Sequence, residues 1–313
     1  MALQTHFDFR NPTQVVHGPG SRSHLADFLS EQKPLVVTDK GLVKAGIVDK
    51  VLDVLTRAGI DSVLFDGALP NPPARCVHSG ERLYKKAKCT AIVAVGGGSP
   101  MDVAKMIGVV VSHGGRIERY LGPNKVPGAI PPLYCLATTY GTGSEVTPFA
   151  VLTNPKTQNK DPVISWHIAP LVGILDPELC AALPLSVGGP TGMDALTHAI
   201  ESYTNLLANP ITEGLALQAI GLIGANLRLA CANDYEIRAT ENMLIASMLA
   251  GMSFSQTRLG NVHAMSHPAG AQYGIHHGLA NAILLPYVME FNLPARIEKF
   301  AQIARALGAD TSD

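Results

Sequence analysis

Between residues 34 and 136 the chain alternates short β-branched runs with longer stretches whose apolar positions recur every three or four residues. The short runs are PLVVTD (34–39), SVLF (62–65), TAIVAV (90–95) and PLYCLATT (132–139), and the helical patterns fill 40–57, 73–88 and 100–112. Strands separated by helices of that length predict parallel βαβ units and a Rossmann-like doubly wound sheet. After Pro184 the texture changes. β-branched runs vanish, and apolar side chains fall at helical spacing, as in Leu196, Ile200, Tyr203 and again Leu215, Ala219, Leu222. The pattern therefore predicts an α/β N-terminal domain over 1–180 and an all-α domain over 181–313, with GILDPELCAALP (173–184) giving a last strand, a turn and a short helix at the boundary. Near the end, PARIEKFAQIARAL (294–307) reads as an amphipathic helix, whose apolar face earlier helices must cover unless the chain is cut short.

Composition narrows the function classes. A chain of 313 residues exceeds what one core usually organises, which agrees with two domains. With 24 basic and 25 acidic residues the net charge is −1, so no long-range field would draw nucleic acid or an anionic membrane, and a small ligand is the better fit. Five scattered cysteines (Cys76, Cys89, Cys135, Cys180, Cys231) include no C-x-x-C pair, which argues against a disulfide framework or a cysteine zinc site and for a reducing, cytoplasmic setting. The start, MALQTHFDFRNP, has no signal-peptide pattern, and no apolar stretch is read as reaching the roughly 18 to 20 residues of a membrane-spanning helix.

Two loops carry candidate phosphate chemistry. In TAIVAVGGGSPMDVAK (90–105) a strand meets Gly96, Gly97 and Gly98, after which Ser99 suits an N-cap, Pro100 the first helical position and Asp102 the first turn. Free N–H groups and the helix dipole there suit a phosphate, although the motif is not G-x-G-x-x-G. LATTYGTGSEVT (136–147) is a second hydroxyl- and glycine-rich loop after a strand, and two such loops suggest a dinucleotide. Asp39, closing PLVVTD, either accepts from a ribose 2′-hydroxyl, favouring NAD over NADP, or simply caps the next helix.

Histidines carry the second chemistry. Asp194 and His198 stand four apart on a predicted helix and so share a face, although Thr191 with Asp194 also reads as a capping pair. NVHAMSHPAGAQYGIHHG (261–278) holds His263, His267, His276 and His277. Asp194, His198 and two of these four make an economical site for a divalent ion. Pro268 is expected to end or kink its helix directly after His267.

The segments GGGSPMDVAK (96–105), TTYGTGSEVT (138–147), GMDALTHAIESY (192–203) and VHAMSHPAGAQYGIHHGLANAILLPYVMEFN (262–292) together resemble the iron-containing, group III alcohol dehydrogenases, in the superfamily of dehydroquinate synthase. That resemblance implies an all-α metal-binding C-terminal domain with Fe2+, or Zn2+, on Asp194, His198, His263 and His277, and His267 beside nicotinamide and substrate as the proton-handling residue. It assigns no role to His276. It implies NAD contacts from Asp39, Gly97, Gly98, Ser99, Thr138, Thr139 and Lys160, with Asn71, Thr147 and Phe149 as further contacts. The implied reaction is reversible hydride transfer between a small primary alcohol and its aldehyde, in a homodimer. Family chains usually continue through further helices beyond the position of Asp313, which raises the expectation of a shortened C-terminal domain. Phe149, Phe254 and Tyr273 are candidate pocket residues.

Overall fold

A computed structural model of the chain describes residues 6–153, 160–180, 183–232 and 236–310. These residues form two compact units, one of Pro12–Thr138 and Ser144–Leu179, the other of Met1–Asn11, Thr139–Gly143 and Cys180–Asp313.

The described strands lie in the first unit: β1 (Gln14–His17), β2 (Pro34–Val37), β3 (Val63–Phe65), β4 (Ala91–Gly96), β5 (Gly122–Pro123), β6 (Leu133–Ala137), β7 (Phe149–Thr153), β8 (Lys160–Ile164) and β9 (Val172–Leu175). Six of them make a parallel sheet in the order β1-β9-β6-β4-β2-β3. Every residue of β2, β4, β6 and β9 is buried, which is why those runs show no polar alternation. The edge strand β1, QVVH, is only half-buried, too short and too polar to stand out in the sequence. The antiparallel pair β7–β8, with β5 beside it, was likewise not foreseen.

The sheet is flanked by α1 (Leu25–Phe28), α2 (Lys40–Lys44), α3 (Ile47–Arg57), α4 (Ala74–Ala87) and α5 (Gly98–His113). The pattern over 40–57 predicts one helix, and the structure has two, because Gly46 adopts a left-handed φ of 70° between them. From β2 the chain moves outward to β3, then returns and moves the other way through β4, β6 and β9. The topological switch therefore lies between β2 and β4, and the residues just past their carboxyl ends are Asp39 and Gly97 to Ser99.

The second unit is helical: α6 (Leu185–Thr204), α7 (Pro210–Ala232), α8 (Ile237–Thr257), α9 (Asn261–Tyr273), α10 (His277–Asn292) and α11 (Ile297–Ala306). α6, α7 and α8 pack on one another, α10 packs on α6 and α9, and α11 lays Phe300 and Ile303 against α7 and α6, while Ile297 and Leu307 at its two ends stay exposed. One expectation is corrected here: α7, with 23 residues and a mean hydropathy of 1.5, is long and apolar enough to cross a membrane by length and composition. A third of that apolar window is buried, and α7 is a member of the bundle with α6 and α8.

Candidate functional site

α6 presents Asp194, His198 and Glu201 one turn apart on one buried face. The helix starts at Leu185, and the Thr191 hydroxyl donates to the carbonyls of Val187 at 2.9 Å and Gly188 at 3.2 Å, so Thr191 is an interior residue and not half of a capping pair. Pro268 does not end α9, which runs on to Tyr273 and stops at Gly274 in the left-handed region. Pro268 is exposed, and His267 before it sits mid-helix and half-buried. His277 is the first residue of α10, next to the exposed His276 at the N-cap.

The α10–α6 approach depends on Gly278. A Cβ there would lie 2.0 Å from the Pro190 carbonyl oxygen, a backbone atom with little room to move. Gly278→Ala must therefore push α10 away from α6 and His277 away from Asp194. The expected outcome is a loss of about 1–3 kcal/mol in stability from overpacking, together with reduced metal content by mass spectrometry. Full metal content in the variant would show that the close approach is dispensable.

Three imidazoles converge on one carboxylate oxygen. Asp194 Oδ1 lies 3.7 Å from His198 Nε2, 3.6 Å from His263 Nε2 and 3.5 Å from His277 Nε2. A tetrahedron with bonds of about 2.0–2.2 Å has edges of about 3.3–3.6 Å, so the donor spacing fits a small divalent ion. Ligand atoms of Asp194, His263 and His277 all lie within 4.8 Å of one another, and His198 approaches through the same carboxylate oxygen.

The outer nitrogens of His198 and His263 are held so that Nε2 faces inward. His198 Nδ1 donates to the Gly141 carbonyl at 3.2 Å, and His263 Nδ1 donates to Glu201 at 2.6 Å. Glu201 also accepts from the backbone N–H groups of Val262 at 2.6 Å and Gly260 at 2.9 Å, so one buried carboxylate caps α9 and orients a histidine on it. The sequence reading missed Glu201, although its place seven residues after Asp194 on the same helical face was a legible signal.

Around this set, Phe254 stacks on His198 with ring centroids 4.4 Å apart, and His198 stacks on His263 at 4.6 Å. The His267 ring is 5.7 Å from that of His263 and 5.1 Å from that of His277, which places it beside the cluster. Tyr273 is exposed.

The electrostatics follow from burial and mutual charge. Burial acts to raise the pKa of Asp194, but His198, His277 and His263 outweigh it and hold the carboxyl far below the usual range. For His198 burial dominates and lowers the imidazole to about 4. Burial also opposes charge on His263, yet Asp194 and Glu201 prevail and raise it to about 9. Glu201 is lowered despite its burial, chiefly by the bond from His263.

A pH prediction follows, because an ion needs neutral imidazoles. His263 binds a proton more tightly than an ordinary imidazole, so an incoming ion must displace it below about pH 9. Metal affinity is expected to rise with pH, by up to about tenfold per unit, and to level off above about 9, which chelator competition at several pH values would measure. An affinity that is flat between pH 6 and 8 would contradict it.

In the first unit, Asp39 and Gly97 to Ser99 lie at the switch point. Gly97 is the N-cap of α5, which begins at Gly98, two residues earlier than the pattern suggested, so Ser99 lies within the first turn and is not the cap. Pro100 costs nothing there, because first-turn N–H groups have no helical partner. Gly96 has a φ of 158°, and a Cβ on it would lie 2.5 Å from Pro100 Cγ. Thr138 donates its N–H to the Gly96 carbonyl at 3.1 Å, which draws the end of β6 to the glycine turn. Asp39 caps α2, accepting from Leu42 N at 3.0 Å. Asn71 is exposed with a φ of 49°, Lys160 opens β8, and Thr139 belongs to the second unit.

A second missed residue organises this region. Lys105 Nζ, with 0% of the residue exposed, donates to the carbonyls of Ser144 at 2.7 Å, Thr147 at 2.9 Å and Phe149 at 2.8 Å and to the Ser144 hydroxyl at 3.0 Å. It staples the loop bearing Ser144 and Thr147, and the first residue of β7, Phe149, to α5. Burial pushes Asp102 up to about 6, with Lys105 opposing, and burial lowers Lys105 itself.

Known proteins carry the same two-part arrangement. Residues 12–177 match the model of the iron-containing alcohol dehydrogenases, and residues 190–313 match that of the C-terminal part of the Fe-containing alcohol dehydrogenase family. A 1,3-propanediol dehydrogenase of Citrobacter freundii is 47% identical over 97% of this chain and 80% of its own length. An NAD-dependent methanol dehydrogenase of Bacillus methanolicus is 41% identical over 97% of this chain and 81% of its own. The crystal structure of a 1,3-propanediol oxidoreductase superposes with a TM-score of 0.95 at 44% identity, over 98% of this chain and 81% of that one.

Proposed function

Given that this chain belongs to the iron-containing alcohol dehydrogenase family and is thus an oxidoreductase, we propose that it interconverts a small primary alcohol and its aldehyde, with NAD as hydride carrier and Fe2+ on Asp194, His198, His263 and His277. The observation that carries the metal reading is the meeting of three Nε2 atoms at 3.5–3.7 Å from Asp194 Oδ1, with two of the rings locked from behind. When bound, the ion supplies Lewis acidity toward the alcohol oxygen, and NAD accepts the hydride.

The remaining work falls to side chains. Asp194 and the imidazoles orient the ion, while Glu201 keeps His263 in the tautomer that leaves Nε2 free. His267, whose ring lies beside those of His263 and His277, takes and returns the hydroxyl proton. Gly97, Gly98 and Ser99 offer backbone N–H groups at a helix N-terminus to the pyrophosphate, and the Asp39 carboxylate disfavours a 2′-phosphate, which selects NAD over NADP. Thr138 and Thr139 line the adenosine side, and Lys160 serves the nicotinamide ribose. Asn71, Thr147 and Phe149 complete the cofactor contacts. Imidazole and carboxylate donors also suit Zn2+, the choice of a polyol dehydrogenase, and raw affinity favours zinc.

The test is anaerobic preparation, metal analysis by mass spectrometry, and a panel of alcohols and aldehydes with NAD and NADP, before and after chelation and Fe2+ or Zn2+ restoration. NAD-linked turnover of primary alcohols that chelation abolishes and Fe2+ restores best is expected. Tight NAD binding without turnover of any alcohol would make the chain a non-catalytic relative and defeat this reading.

A further inference from the structure

Asn281 stands one turn after His277 on α10, on the same face, with 0% of the residue exposed. Its Nδ2 donates to Asp194 Oδ1 at 2.7 Å and lies 3.2 Å from His263 Nε2 and 3.3 Å from His277 Nε2. Those are the same three atoms that an ion would join. The other end of the amide is different, because Oδ1 has no hydrogen-bond partner among the described residues.

A buried carbonyl without a donor is costly, so the nitrogen end alone sets the orientation of this amide. Turning it over would bring an oxygen against the Asp194 carboxylate, which the short contact forbids. An amide nitrogen offers N–H donors and no lone pair, so it does not ligate a cation. What it does offer is a polarised N–H beside a buried carboxylate, and that carboxylate oxygen keeps a further lone pair for an ion.

From this arrangement we propose that Asn281 is a positioning residue for the metal centre: it presets the Asp194, His263 and His277 donor set before the ion arrives and holds Asp194 to one-oxygen coordination afterwards. The proposal rests on those residues being the ligands. It predicts that removing the N–H weakens binding without removing any ligand, by about 10- to 100-fold as for other groups that orient ligands.

Co2+ is the probe, titrated into the full metal-free chain as wild type, Asn281→Ala, Asn281→Leu and His263→Ala, with the visible d–d spectrum and chelator-competition Kd as readouts. Leucine keeps the volume and removes the donor, so it separates packing from positioning if the alanine variant does not fold. Support would be Co2+ bound by the wild type, none bound by His263→Ala, and both Asn281 variants weakened about 10- to 100-fold with a shifted spectrum, as a change in carboxylate coordination requires. Wild-type Kd and spectrum in Asn281→Leu would overturn the proposal while leaving the ligand reading intact. No Co2+ uptake by the wild type would overturn that reading, and the proposal with it.

Discussion

His263→Ala is expected to lose metal and turnover together, whereas His267→Ala keeps the metal and loses rate. His263 faces Asp194 on one side and Glu201 on the other, so its removal deletes one donor and leaves a buried carboxylate without its 2.6 Å partner. Lewis acidity supplies several kcal/mol at the transition state, so the expected fall in kcat/KM is about 10³-fold or more. His267 lies one helical turn on, in ring contact with His263 and His277. Loss of a general acid or base costs about 10²–10⁴-fold, with metal stoichiometry unchanged. Mass spectrometry of both variants beside steady-state kinetics checks the pair, and an emptied site in His267→Ala would exchange the roles of the two residues.

Lys105→Met is expected to be among the most destabilising single substitutions in the first unit. The change keeps the length of the side chain and removes the ammonium, leaving the carbonyls of Ser144, Thr147 and Phe149 without their donor and Asp102 without the charge that opposes its burial. Breaking one side of a buried ionic network costs about 3–5 kcal/mol, which calorimetry would register as a lower Tm. The sign of the pH dependence is set by Asp102. Its folded pKa, raised to about 6, lies above the ordinary 3.8, so its contribution favours folding at low pH and is lost as pH rises through about 6. Without Lys105 that upward push is stronger, and the deficit should be smaller at pH 5 than at pH 8. A change below about 1 kcal/mol would mean that the loop stands without the staple.

Local signals account for much of the site. Asp194 and His198 share a face because a helix repeats every 3.6 residues, and four histidines within GIHHG and its upstream helix were conspicuous. Glu201 obeyed the same period, but its value lies in His263, Val262 and Gly260, about 60 residues further on, which no local pattern displays. Lys105 read as an ordinary helical lysine because the carbonyls it serves are 39–44 residues away. Asn281 sits in an apolar helix, and nothing in LANAILL marks it as the partner of Asp194, 87 residues earlier.

The residue pattern by itself determined the alternation of buried strands and helices, the change to helix after Pro184, and the glycine turn at a helix start, because each follows from side-chain period and backbone freedom within a few residues. Tertiary structure decided where helices actually stop: α9 runs through Pro268 to Tyr273, forgoing the bond that the proline nitrogen cannot donate, and the pattern over 40–57 breaks at Gly46. It also chose among the histidines. His277, at the first position of α10, meets Asp194 because Gly278 lets α10 touch the backbone of α6, while the adjacent His276 points into solvent. Adjacent residues of one kind differ only through what packs against them, and that is information a linear pattern does not hold.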